Sequence, residues 1–234
     1  MTPLESTYIC VIIPIVVTAF CVDQKYRSSV LFIISGITMC LLSAYLNSFF
    51  AYLTGADLNA TSIEISPIVE ECMKLMPFIF YGLIFDPDEI TSRNIIILVA
   101  ASFALFENIC FLIQAGNPDL GLLILRGVGT CSMHIVCGII VGYGMVYVPR
   151  HSALKWIGVQ ALLCAAICFH AIFNLLMSGE GLYATVGYIL PIFFIAFGLI
   201  AGRIYRKTSI RGSRYLESRN AGKSMPRTHS SKSE

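Results

Sequence analysis

The sequence has 234 residues, 56% of them hydrophobic and 13% charged, with a mean hydropathy of +0.77. Soluble domains carry about 45–50% apolar and about 25% charged residues, so this composition excludes an ordinary soluble domain and points to membrane helices. The net charge of +2 hides an asymmetry: nine of the sixteen Lys and Arg residues lie from Arg203 onward, where Glu217 and Glu234 are the only acids. A basic tail directly after an apolar span marks the cytoplasmic side of a membrane rather than a nucleic-acid partner.

Seven apolar segments of helical length follow one another, roughly 7–22, 29–53, 65–85, 94–114, 121–148, 155–178 and 183–203. No basic stretch precedes the first and no small-residue cleavage site follows it, so it is read as a span rather than a signal peptide. Sheet is excluded, because open strand edges are not satisfied in lipid. The sequence therefore predicts an all-α, polytopic bundle of about seven spans, a multi-pass protein of the cell membrane.

Orientation follows from the basic residues. Lys25 and Arg27, Arg93, and Arg150 with Lys155 lie in alternate loops, whereas 54–64, 115–120 and 179–182 hold no Lys or Arg. All basic loops share one side if the N-terminus is outside and the C-terminus inside. Residues 1–205 form the membrane body, and 206–234 are a basic cytoplasmic tail too poor in apolar residues to order itself. Its lysines and arginines suit anionic lipid.

The pairs Gly138 and Gly142, and Gly198 and Gly202, have the four-residue spacing of close helix packing. Nine cysteines, an odd number, all lie in apolar stretches without a CxxC pair, which argues for packing rather than a disulfide framework.

A few polar residues remain inside the spans. Segment three holds Glu70, Glu71 and Lys74; segment four, Glu107 and Asn108; segment five, Arg126 and His134; segment six, His170 and Asn174. An ionisable group at membrane depth costs at least about 2.5–3.5 kcal/mol, so such groups face the bundle interior, pair, and mark functional sites. At about 1.5 Å per residue, Glu70 and Asn174 lie about 6 Å, and Glu107 and His170 about 12 Å, below the outer ends of their segments. Only His134, about 20 Å from Leu120, is deep, unless segment five enters the bilayer near Arg126.

Spacing adds detail. His170 and Asn174, and likewise Glu70 and Lys74, are four apart and share a helix face. Glu71 points about 100° away from Glu70, so one of the two can serve chemistry while the other orients a neighbour.

Peptide hydrolysis needs an activated water, an oxyanion partner and a proton donor for the leaving amine. Glu70 or Glu71 suits the first role, and His170 with Asn174 the second. Zinc is the alternative agent, held by Glu71, Glu107, His134 and His170 with a position left for water. The same buried cluster also suits a proton- or metal-coupled transporter, although no inverted repeat is visible.

Four motifs resemble those of the PrsW family of membrane proteases. Pro67-Ile-Val-Glu70-Glu71-Cys-Met-Lys74 resembles its EExxK motif, and Phe103-Ala-Leu-Phe106-Glu107-Asn108 its FxxxEN motif. Arg126 with His134 and Gly138 resembles the third motif, and His170-Ala-Ile-Phe-Asn174 the closing HxxxN. They occur in order over residues 66–175.

The resemblance implies kinship with CAAX prenyl proteases and bacteriocin-related membrane proteases. There the first glutamate of the pair activates water, and histidine with asparagine holds the oxyanion. The second motif of that group usually offers histidine where this chain has Glu107. The implied substrate is a membrane-anchored protein, such as an anti-sigma factor, cut on its extracytoplasmic side. The implied site comprises Glu70, Glu71, Glu107, His134, His170 and Asn174, supported by Lys74, Asn108 and Arg126.

Overall fold

The computed structural model describes residues 2–85, 89–116, 118–147, 155–200 and 203, without side chains for 89–90, 143–147 and 155–156. Every regular element among the described residues is helical. The basic tail and its boundary at 205/206 lie outside them.

Helix α1, Pro3–Cys21, starts with a capping box. Thr2 accepts the Glu5 backbone N–H, and Glu5 accepts that of Thr2, so two of the first turn's spare donors are satisfied. Helix α2, Gln24–Thr54, has 31 residues; at about 1.5 Å per residue it exceeds the roughly 30 Å hydrocarbon layer. Helix α3, Leu58–Ala60, is capped by Asp57, whose Oδ1 accepts the Ala60 N–H at 2.7 Å. It continues through a π-helical turn, Thr61–Ile65, into α4, Ser66–Phe85. The region expected to be an outer loop, 54–64, is thus largely helical.

Helices α5, Glu89–Ala115, α6, Leu120–Tyr147, and α7, Lys155–Ser178, follow, and α8 runs Leu182–Ile200. All of these except α3 and α4, six helices, are long and apolar enough to cross a membrane. The 20 residues of α4 have the length, but Glu70, Glu71 and Lys74 lower its apolarity. Lipid-facing surface is evident in side chains such as Phe20, Leu53, Phe80, Leu83 and Ile157, each at least 60% exposed. The protein is a multi-pass integral membrane protein.

Residues up to 192 make one compact unit, and the described residues from 193 onward belong to a second. In the first, α2, α5, α6 and α7 pack in succession, with α1 on the outer side of α2. Helix α4 touches α2, α5, α6 and α7, so its polar face meets four other helices. Three apolar clusters surround its polar face. Phe32, Phe78, Ile95, Ile96 and Val99 join α2, α4 and α5. Ile37, Cys40, Phe103 and Phe106 join α2 to α5, with α1 packed on them. Met133, Cys137, Ala166, Phe173 and Tyr188 join α6, α7 and α8. In the second unit, Phe193 and Phe197 stack their rings one helical turn apart.

Small residues set the closest approaches. A Cβ on Gly36 would lie 2.0 Å from Ser102 Oγ and 2.4 Å from the Val99 carbonyl oxygen, so only glycine lets α2 lie this close to α5. The Gly138 and Gly142 pair serves α6 in the same way, since a Cβ on either would press on Ile96 of α5. The second pair reaches Gly202, outside the described residues. All nine cysteines are unbonded.

Candidate active site

Nearly all of the intramembrane polar residues picked out by sequence converge where α4, α5, α6 and α7 meet. The sealed side is centred on Lys74. Its Nζ donates to Glu71 Oε1 at 2.6 Å and to His134 Nδ1 at 2.7 Å, and sits over the Phe103 ring at 5.1 Å. His134 is completely buried, with Glu71 and Lys74 nearly so. The expected pairing of Lys74 with Glu70 does not form. Lys74 takes Glu71, three residues away rather than four, because Glu71 is the carboxylate turned into the bundle beside His134. A 20 Å³ void lined by Glu71, Lys74, Ala100 and Gly138 is enough for one water.

Because an ammonium donates into Nδ1 of His134, the ring carries its hydrogen on Nε2 and donates it to Glu107 Oε2 at 2.5 Å. The other Glu107 oxygen accepts from Arg126 Nη2 at 3.2 Å, and the Arg126 guanidinium lies 3.9 Å from the centre of the Phe111 ring. Arg126 therefore pairs within the bundle instead of reaching to the interface. His134 thus reaches the level of Glu107 despite its greater distance along the chain from the start of its helix.

The open side is built on Glu70. His170 donates its Nδ1 hydrogen to Glu71 Oε1 at 2.7 Å, which in the neutral ring leaves the Nε2 lone pair 3.9 Å from Glu70 Oε2. That oxygen is buried and has no hydrogen-bond partner. Two acceptors facing each other across such a gap call for a proton, a water or a cation between them. The other Glu70 oxygen accepts from Asn47 Nδ2 of α2 at 3.4 Å.

Asn174 does not join the histidines directly. Its Nδ2 donates to the carbonyl of Ser62 at 2.8 Å, a backbone group of the π-helical turn. It thereby ties α7 to the turn and keeps its second amide hydrogen. Asn108 lines neither of the cavities described next, and its Oδ1 is buried without a partner.

A cavity of about 500 Å³ opens over Glu70, Glu107, Arg126, Thr130, His170 and Asn174, walled by the π-helical turn and the end of α7. A second, of about 230 Å³, reaches Glu70, Glu107 and Arg126 from the side of α1, α2 and α5. The residues missed by sequence are Asn47, Ser62 and Thr130. Asn47 carried a signal, an amide within an otherwise apolar segment. Ser62 acts through its carbonyl, which no side-chain pattern reveals. Thr130 is buried with an unpartnered hydroxyl on the larger cavity.

Donor atoms of Glu70, His134 and His170 lie within 4.8 Å of one another. Two histidines and a glutamate are a catalytic zinc donor set, with ligands at about 2.0–2.2 Å. Glu70 Oε2 is unpartnered and lies 3.9 Å from His170 Nε2, so both would be available to such an ion. The residues therefore fit a metal, once His134 gives up its bond to Glu107. This donor cluster contains Glu70 with the two histidines, whereas Glu71 and Glu107, expected from the sequence as zinc ligands beside them, are held by Lys74, His170, His134 and Arg126.

A membrane bundle that encloses carboxylates, histidines and a wide polar cavity at one end is built around a buried, chemically equipped site. Residues 25–200 match the model of the PrsW family of intramembrane metalloproteases, and the chain belongs to that family. A relative named Protease PrsW, from Oceanobacillus iheyensis, is 29% identical over 167 residues, covering 68% of this chain and 73% of its own. No solved structure matches the chain. Membership makes the protein a membrane peptidase with a protein substrate.

Proposed function

We propose that the protein cuts a membrane-anchored protein near its extracytoplasmic side, with Glu70 as the base that activates water. One observation carries this: Glu70 is the carboxylate with a free oxygen, buried, facing a histidine lone pair, on the wall of a large cavity. Glu71 and Glu107 are each held by two partners, so they orient His170, Lys74 and His134 rather than take a proton. This favours Glu70 over Glu71.

In the proposed cycle, water between Glu70 and His170 attacks the scissile carbonyl carbon and gives its proton to Glu70. The second amide hydrogen of Asn174, which lines the same cavity as Glu70, serves the developing oxyanion. The proton then passes to the leaving nitrogen as the C–N bond breaks, and Glu70 returns to its carboxylate form. If zinc is resident, Glu70, His134 and His170 hold it, and it supplies Lewis acidity and a water ionised near neutral pH.

The site lies where α2 and α7 end and α1 and α6 begin. With alternate loops basic, that end is the extracytoplasmic one. Helix α4 then acts as a seventh span, its charges turned inward. Residues 206–234 form the cytoplasmic tail. An anti-sigma factor has the required topology as a substrate.

The test uses purified full-length protein and a panel of single-span membrane proteins, comparing wild type with Glu70→Gln, with and without a chelator. Bound metal is measured by elemental analysis of wild type and His170→Ala. Loss of cleavage in Glu70→Gln with retention in chelator supports a metal-free base. Loss in both, with metal in wild type and none in His170→Ala, supports the zinc form. Cleavage unaffected by Glu70→Gln rejects the proposal.

A further inference from the structure

We propose that the α1-side cavity is a second substrate subsite, which holds the residue on one side of the scissile bond while the larger cavity holds the chain on the other. This rests on the peptidase reading above. A polypeptide cut at Glu70 extends both ways from the reacting carbonyl. In a membrane its unwound backbone needs polar company, because unpaired N–H and C=O groups are costly there.

The two cavities share Glu70, Glu107 and Arg126. These residues form a wall common to both, so a peptide bound in both has Glu70 between its two halves. Both open at the same end of the bundle. The smaller is bounded by Leu4 at the start of α1 and Gln114 at the end of α5, the larger by the π-helical turn and Ser178 at the end of α7. That suits a juxtamembrane segment entering from one side and bending through the site.

The smaller cavity is a built wall rather than a loose gap. Tyr45 donates its hydroxyl to Glu5 Oε1 at 2.7 Å, which pins the first turn of α1, and with it Leu4, against α2. Tyr8 and Thr38 share a second bond between these helices at 2.9 Å. At about 230 Å³ it falls below the roughly 300–1,000 Å³ of a small-molecule pocket, so it takes a side chain or two rather than a folded segment. Cys40, Ser43, Ala44 and Cys110 line it with small side chains. Asn47 and Arg126 line it too, and Asn47 Oδ1 and Arg126 Nε are buried without partners, an acceptor and a donor of the kinds an extended peptide needs once either side chain turns towards the cavity. Asn47 has a double place, since its Nδ2 holds Glu70. Occupancy of the subsite and orientation of the base are thereby joined in one residue.

The test has two arms. In the first, a substrate cleaved by wild type is varied with Ala, Leu or Phe at each of three positions on either side of the cut, and kcat/KM is measured for wild type and Ala44→Phe. The expected result is a loss at least tenfold greater for Leu and Phe than for Ala, at one position on one side only. Equal losses at all positions, or none, overturn the subsite.

The second arm does not depend on turnover or on Ala44→Phe folding. In Glu70→Gln protein, alkylation of Cys110 by N-ethylmaleimide is followed by mass spectrometry, with exposed Cys21 as reference. Peptides that wild type cleaves slow Cys110 labelling at least fivefold and leave Cys21 unchanged. No protection by a cleaved peptide overturns the subsite alone. Protection by peptides that wild type never cleaves supports the subsite as a binding site and overturns the hydrolytic reading. Neither cleavage nor protection overturns both.

Discussion

Glu70 and Glu71 are neighbours in sequence and opposites in setting. Glu71 faces the sealed side, where Lys74 and His170 both reach its Oε1 within 2.7 Å. Glu70 faces the open side, with one oxygen held by Asn47 and the other unpartnered before His170. About 100° of helical rotation separates them. That rotation is enough to make one carboxylate part of the framework and leave the other free to act. A site in lipid needs both sides. Buried charge must be paired to be tolerated, yet a reacting base must not be fully paired.

Changes that exchange or blur these two roles test the contrast. The largest expected effect is on the open side. Glu70→Gln lowers kcat by about 10²–10⁴-fold, the usual contribution of a positioned base, while its thermal midpoint in detergent stays near wild type. A fall in stability with little loss of turnover would reverse the assignment.

On the sealed side, Lys74→Met strands Glu71 without its counter-charge. Removing one member of a buried pair costs about 3–5 kcal/mol, measured by denaturant unfolding in micelles. Activity per folded molecule falls less than in Glu70→Gln.

Next is a change to the frame that brings both sides together. Gly36→Ala places a methyl against Ser102 and the Val99 carbonyl. Overpacking costs about 1–3 kcal/mol, read as a lower unfolding midpoint, with Gly36→Leu worse.

The smallest effect is expected at Asn47, on the wall of the smaller cavity. Asn47→Leu removes a single, long hydrogen bond to Glu70, a loss of about 0.5–1.5 kcal/mol. It appears as a three- to tenfold lower kcat/KM with KM and kcat both altered. Asn47→Gln recovers part of it if positioning is the role.

Much of this was legible in the chain. Long apolar runs announce membrane helices because lipid leaves the backbone no other way to satisfy its hydrogen bonds. Charges inside those runs announce an interior site because they are expensive anywhere else. Spacing placed Glu71 away from Glu70, and His170 and Asn174 on one face. Less visible were the partners. Lys74 was expected beside Glu70 on i,i+4 spacing, yet it bonds Glu71, since the position of His134 on α6 decides which way the ammonium points.

By itself, then, the sequence determined the helical class, the membrane setting and most of the polar residues that gather at one depth. These follow from local composition and from the 3.6-residue period. Helix packing sets which glutamate is sealed and which keeps an unpartnered oxygen, that Asn47 of α2 reaches Glu70, that Asn174 binds the carbonyl of a π-helical turn, and that Glu70 lines two cavities. Those are contacts between helices far apart in the chain, set by how closely glycine and small residues let the helices approach, and no spacing along one helix encodes them.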